Sequence, residues 1–372
     1  MGERVEGPRI LRAVMIDDRR LELFWDRQVR DADTEKHFKV WYDGQPLKLV
    51  HWRCDGDQEW DYGTVYQKES MRTTLALEEP FTGDVSRLTV QVTGPVEDLT
   101  DRSADGDVLY PVEAEPYYVQ FLTTKSGITV RAGKTVKRES MELAAEIIDR
   151  MLVKIPQVAK RLVELGADVG IYGLLENAYD IPEHRMGYWL ATRHVEGFGG
   201  ILANPISTIS EANIIRLRSG RYATRYPHEM ILVHEFGHAI HLVGIDYLED
   251  KTLSRRIKQC YEHAKTSGLW HDTYAISNHE EYFATLSTVW FDVMQEGVDG
   301  KWDGIRGPIN TRAKLMEYDP EGYALMRDIY PEEKLPAPWD HNTDFYDITG
   351  KPRREMESYD IALDKMEWQF IK

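Results

Sequence analysis

The chain has 372 residues, 42% of them apolar and 11% aromatic. That length can bury a sizeable core and suits two domains better than one. Its 63 acidic against 46 basic residues leave a net charge of −17, which argues against nonspecific binding of nucleic acid or anionic membranes, since both need a positive surface. Two cysteines, Cys54 and Cys260, exclude a disulfide scaffold and lack partners at metal-ligand spacing, so both read as small buried hydrophobes. No apolar run reaches membrane-spanning length, and Met1-Gly2-Glu3-Arg4-Val5-Glu6 holds no signal-peptide core. The expectation is a cytoplasmic protein, or a secreted one whose leader has been removed.

Residues 1–122 read as β. Arg9 to Ile16 and Leu21 to Trp25 are β-rich and separated by the turn-like Asp17-Asp18-Arg19-Arg20. Phe38-Lys39-Val40-Trp41-Tyr42 runs into Asp43-Gly44, a hairpin signal, and Leu47 to Trp52 continues beyond it. Thr73 to Leu77 and Leu88 to Val92 alternate with period two. Short strands so spaced indicate an antiparallel sandwich, with Trp25 and Trp41 as core aromatics. The pattern resembles bacterial immunoglobulin-like or fibronectin type III-like modules. Asp98 to Asp107 is acidic without the spacing of a calcium loop, and reads as a solvated linker ahead of a boundary near Tyr117 to Gly127.

Residues 123–372 change period. Glu139 to Leu152 places Met141, Leu143, Ala144, Ile147, Ile148 and Leu152 on a helical stripe, with Ser140 as its N-cap. Pro156 starts a second helix that ends at Leu165-Gly166. Val169 to Tyr172 reads as a strand. Gly197-Phe198-Gly199-Gly200 leads into Ile201-Leu202-Ala203, and Asn213 to Leu217 is a further strand candidate. Next comes an apolar run, Met230 to Ile240, bracketed by Pro227 and Gly244 and interrupted by His234-Glu235-Phe236-Gly237-His238. The order along this part of the chain is therefore helix, sheet, then motif-bearing helix.

Histidines four apart on an α-helix stand on one face and can reach one cation, and the Glu beside the first can take a proton from water at that cation. Metal-assisted hydrolysis is therefore the leading reading, with His234 and His238 as ligands and Glu235 as base. A third ligand is needed. His241 lies a further ~4.5 Å along the axis, so three histidines on one straight helix would span about 10.5 Å, too long for bonds of about 2 Å to one ion. The metzincin pattern also fails, because His241 stands where that pattern needs Gly and Gly244 where it needs His. His241 reads as packed or as support for a ligand. Downstream, Ser277 and Glu280 form a capping box that starts a helix, leaving Glu281 either to face the metal or to act as a first-turn acid.

The motif His-Glu-Phe-Gly-His, followed about forty residues later by Tyr274-Ala-Ile-Ser-Asn278-His-Glu-Glu281-Tyr-Phe-Ala284, resembles the lethal factor-like zinc peptidases, which include the Pro-Pro endopeptidases. The similarity spans roughly Gly197 to Val293. It implies an α+β protein whose zincin-like catalytic domain, extended at its C-terminus, follows the all-β module. It also implies one zinc ion on His234, His238 and Glu281, with Glu235 as general base and Tyr274 as hydroxyl donor to the oxyanion. His279 reads as a surface residue of the capped helix. A peptide or protein substrate would lie extended along an exposed strand near Gly199 to Leu202. Two alternatives stay open: a non-proteolytic metal enzyme on the same scaffold, and a binding or adhesive protein with a structural metal site.

Overall fold

The computed structural model describes residues 6–30, 32, 35–50, 70–184 and 195–340. Cys54, His51 and Trp52 lie outside these, as does the tail from 341. The chain divides into two compact units, residues 1–119 with 179–194, and residues 120–178 with 195–372. Among the described residues no helix is long and apolar enough to cross a membrane.

The first unit is a single hydrogen-bonded sheet. It contains β1 (Ile10–Met15), β2 (Arg20–Arg30), β3 (Phe38–Tyr42), β4 (Gln45–Leu47), β5 (Leu49–Val50), β6 (Ser70–Leu77), β7 (Leu88–Val92), β8 (Glu97–Asp98) and β9 (Leu109–Ala114). The order is β4-β3-β7-β9-β1-β2-β6-β5, with β8 beside β2. Two separate stacked sheets were expected; here β9 joins them, antiparallel to β7 and parallel to β1. Alternate side chains still meet in one core. Leu21, Leu23, Trp25, Phe38, Val40, Leu75, Leu88 and Val90 are buried together, and the Trp25 and Phe38 rings lie 6.4 Å apart. Trp25 keeps its indole N–H satisfied by donating to Thr73 Oγ1 at 3.0 Å, while Trp41 is only partly buried. Asp43 and Gly44 take φ of 50° and 77°, the left-handed pair that a tight hairpin requires.

Asp98 corrects the linker reading. It is 3% exposed, pairs into the sheet through Val29, and accepts from Thr100 N, Thr100 Oγ1 and Arg102 N. The hydroxyl of Thr100, opposed by burial and aided by those amides, holds its carboxyl down at about 2. An aspartate buried so completely is a structural turn residue, and composition alone could not separate it from its exposed neighbours.

The second unit is helices around a five-stranded mixed sheet. β10 (Gln120–Thr123) is antiparallel to β11 (Thr129–Ala132). β11, β12 (Asp168–Tyr172) and β14 (Ile206–Ser210) run parallel, and the short β13 (Gly197–Phe198) closes the edge antiparallel to β14. The parallel step from β11 to β12 needs a crossover, supplied by α1 (Arg138–Leu152) and α2 (Pro156–Glu164). Met141, Ala144, Ile147, Ile148 and Met151 of α1 are buried in one cluster with Val130, Val169 and Ile209 of the sheet. The N-cap of α1 is Lys137, not Ser140; Ser140 is buried and donates to Glu211 Oε1 at 2.8 Å. Asn213 to Leu217 is not a strand: Ser210 caps the single turn α3 (Glu211–Ile214) by accepting from Asn213 N. The remaining helices are α4 (Ile231–Ala239), α5 (Thr252–Thr266), α6 (His279–Trp290), α7 (Arg312–Tyr318) and α8 (Pro320–Ile329).

Candidate metal centre

α4 is a core helix. Ile231, Leu232, Val233, Phe236 and Ala239 are buried, and its polar side chains are confined to His234, Glu235 and His238. It packs against β14, β13, α1 and α6. It starts four residues after Pro227, and Asn213 serves both sides of its first turn: the carboxamide accepts from Ile231 N at 3.0 Å and donates to Glu229 O at 2.9 Å. Regular α-helix ends at Ala239, and Ile240–Gly244 widens into a π-turn, so the segment is shorter than its flanking Pro and Gly suggested. His241 on that turn is fully buried, beside His279 and Phe283 with ring centroids 5.3 and 5.2 Å away. Burial, only partly opposed by Asp246, lowers its pKa to about 3. His241 is packed, as expected, and His279 is half-buried against it instead of lying on the surface.

α6 supplies the third group. Its N-cap is Asn278, whose Oδ1 accepts from Glu281 N at 2.7 Å. Ser277, the expected cap, instead donates to Tyr274 O at 2.8 Å. The cap thus belongs to a residue one position later, and Glu281 at the third helical position leaves its carboxylate for the histidines. Close approach of the two helices depends on Gly237: a Cβ there would stand 3.2 Å from Ser287 Oγ and 3.4 Å from Ala284 Cα. The pairs 234/281 and 237/284 advance together along both helices, so closeness at one sets closeness at the other.

Three donor atoms converge. His234 Nε2 lies 3.1 Å from Glu281 Oε2, His238 Nε2 lies 3.2 Å from His234 Nε2, and His238 Nε2 lies 3.6 Å from Glu281 Oε2. A tetrahedral ion with bonds of about 2.0–2.1 Å sets its ligands roughly 3.3 Å apart. The spacing fits, and the group can hold a metal. Electrostatics agree with a cation site. Burial would lower the pKa of His234, but its bond to Glu281 and the charges of Glu281, Glu235 and Glu229 outweigh that and lift it to about 9. Burial raises Glu281, yet the charge of His238 and the bonds from both histidines hold it below the usual carboxylate range. Glu235 is pushed up, chiefly by burial, against the pull of both histidines.

The glycine-rich segment lies directly on this helix. A Cβ on Gly197 would fall 2.8 Å from Glu235 Cγ, and one on Gly199 would fall 2.6 Å from His238 Cβ. Only glycine lets β13 and the following residues lie so near the helix. Side chains of β14 hold them there: Thr208 Oγ1 accepts from Phe198 N at 3.1 Å, Ser207 Oγ accepts from Gly200 N at 3.2 Å, and Ser207 Oγ donates to Glu235 O at 3.0 Å. Asn213, Ser207 and Thr208 carry no motif, and only the folded contacts reveal their supporting role. The edge strand expected near Gly199 to Leu202 lies earlier, as β13 over Gly197–Phe198, and Ile201 to Asn204 forms a tight turn. Tyr274 sits on a 3-10 turn just ahead of α6, about half exposed, with its amide donating to Ile305 O at 2.8 Å.

No protein-family model and no curated protein matches this sequence. Eleven solved chains do match in structure. The Pro-Pro endopeptidase PPEP-2 from Paenibacillus alvei matches over 55% of this chain and 96% of its own, at 14% identity and a TM-score of 0.29. The S-layer protein rSbsC(31-844) matches over 32% of this chain at 14% identity and a TM-score of 0.23. Domains 1-6 of SbsC match over 33% at the same identity and a TM-score of 0.24. The chain spans 15% and 16% of those two structures. At these TM-scores none of the likenesses bears on the chemistry.

Proposed function

We propose that the chain is a zinc-dependent endopeptidase. The observation that carries this reading is the convergence of two imidazole nitrogens and one carboxylate oxygen at tetrahedral spacing, with Glu235 adjoining the first ligand on the same helix. Three protein ligands of this kind are the donor set of a catalytic zinc with one position left for water or substrate. Zinc held there supplies Lewis acidity toward a carbonyl and a lowered pKa for water. Glu235 accepts the proton of the attacking water and passes it to the leaving amine, and its upward shift brings it nearer the range useful for both transfers. Tyr274 donates a hydrogen bond to the oxyanion. The peptide lies extended beside β13, which among the described strands pairs only with β14. A structural metal site would not require the carboxylate of Glu235.

The test is to incubate the zinc-loaded protein with a diverse peptide mixture and map the cleaved bonds. Discrete cleavage is expected, reduced about 10²- to 10⁴-fold in Glu235→Gln with zinc content retained. An inactive wild type would count against proteolysis and favour other metal-dependent chemistry. Cleavage persisting in Glu235→Gln would reject the base.

A further inference from the structure

Arg306 and Glu229 form an ion pair in the interior of the second unit. They are 4% and 6% exposed, and Arg306 Nε meets Glu229 Oε2 at 2.9 Å. Taking both charges out of water is costly, and such a pair is a weak source of stability compared with apolar side chains of similar volume. Its position indicates a different use. We infer that it is a positioning device for Tyr274, tying the loop that holds the Tyr274 backbone to the residue just ahead of the metal-binding helix. The inference rests on the peptidase reading.

The path is short at each step. Glu229 stands two residues before α4, and Asn213 bridges its carbonyl to the first amide of that helix. Met230 N is also fixed, donating to Val293 O at 3.0 Å. On the other side, Arg306 follows Ile305, whose carbonyl accepts from Tyr274 N at 2.8 Å, and Gly304 N donates to Asp272 O at 2.9 Å. These two bonds lace the loop to both flanks of residue 273. The loop is closed by its own hydrogen bonds. Asp303 accepts from Val298 N, Ile305 N and Arg306 N, and Gly297 N closes its base on Gly307 O at 2.9 Å. The guanidinium also lies over the Tyr226 ring, 5.6 Å from its centroid.

The far end of the Tyr274 turn has its own anchors, Ser277 Oγ to Tyr274 O and Tyr261 hydroxyl to Ile276 O at 3.1 Å. The first closes the turn on itself, and the second fixes it to α5. The ion pair supplies the link to α4, which carries Glu235 and two ligands. It therefore fixes the backbone of Tyr274 relative to the helix that carries Glu235. Arg306 touches no reacting atom; it acts through Tyr274.

The experiment uses the full zinc-loaded chain with Arg306→Met, Arg306→Lys, and the charge-neutral double variant Arg306→Met with Glu229→Gln, which remains informative if the single Met variant does not fold. Zinc stoichiometry should be unchanged. Peptide cleavage by Arg306→Met or the double variant should lose about 10- to 100-fold in kcat, with KM within about twofold, and Lys should recover part of the loss. On a Tyr274→Phe background the same changes should cost less than about twofold, because the residue they position has lost its hydroxyl. Hydrogen exchange of the Tyr274 amide should quicken at least about tenfold in the double variant while α4 amides stay protected. Additive losses on the Tyr274→Phe background would overturn the inference, as would unchanged exchange at Tyr274. An inactive wild type would defeat the peptidase reading, and the exchange measurement would then decide the anchoring alone.

Discussion

Gly199→Ala tests how the edge strand and metal helix are fitted together. The new Cβ would lie 2.6 Å from His238 Cβ, 2.7 Å from its Cδ2 and 2.8 Å from its Cγ. Carbon atoms at contact need about 3.5–4.0 Å, so roughly 1 Å must be found. The φ of Gly199 is outside the left-handed region, so alanine's backbone preference adds no separate penalty. His238 Cβ cannot yield, because it belongs to a helix turn whose neighbours Phe236, Ala239 and Ile240 are fully buried. The strand end must move instead, at the expense of the Gly200 N to Ser207 Oγ bond. Overpacking of this kind costs about 1–3 kcal/mol. Thermal unfolding of the zinc-loaded protein should fall by roughly 2–10 °C, and peptide cleavage should fall at least about fivefold while zinc affinity stays within about threefold. Unchanged melting and cleavage would refute the close approach of Gly199 to His238.

Zinc affinity should depend on pH. Against burial, the bond to Glu281 and the nearby carboxylates raise the pKa of His234 in the metal-free protein, so at neutral pH the ion must displace a proton, and the apparent Kd should weaken by up to about tenfold per unit as pH falls toward 7; competition with a chromophoric chelator measures this, and a flat profile would contradict it. His184 is 3% exposed and burial lowers its pKa to about 3. Between pH 6.5 and 3 the unfolded chain binds a proton there that the folded one does not, so stability is lost as pH falls through this window, by about 3 kcal/mol between pH 6.5 and 4. Urea midpoints of wild type and His184→Gln should therefore converge on acidification, and parallel curves would refute the assignment. Asn278→Ala removes the cap bond to Glu281 N and should cost about 0.5–2 kcal/mol of stability, read from denaturant unfolding, with weaker zinc binding; unchanged values would show that the cap does not position Glu281.

Much of the candidate site was legible because its chemistry is local. Histidines four apart on an apolar segment can lie on one helix face, whatever surrounds them. Glu281 needed a resemblance, since Ser277, Asn278, Glu280 and Glu281 offer several ways to start one helix, and only the fold shows Asn278 extended with its carboxamide accepting from Glu281 N. β6 and β7 of the first unit followed from period-two alternation, but β8 and β9, and the joining of the sheet through β9, did not, because one strand pairing with two neighbours leaves no mark in its own residues. Asn213 read as a strand for its apolar neighbours Ile214 and Ile215. Its carboxamide is used by Glu229 and Ile231, a tertiary demand that overrides local preference. The glycines at 197 and 199 were visible as a segment; their reason, the proximity of Glu235 and His238, was not.

The most direct measurement is the zinc content of purified wild type and Glu281→Ala after dialysis against a weak chelator. Close to one zinc per wild-type chain and near-total loss in the variant are expected, with circular dichroism unchanged. Full zinc retention by Glu281→Ala would contradict the three-ligand centre on which the proposed function stands.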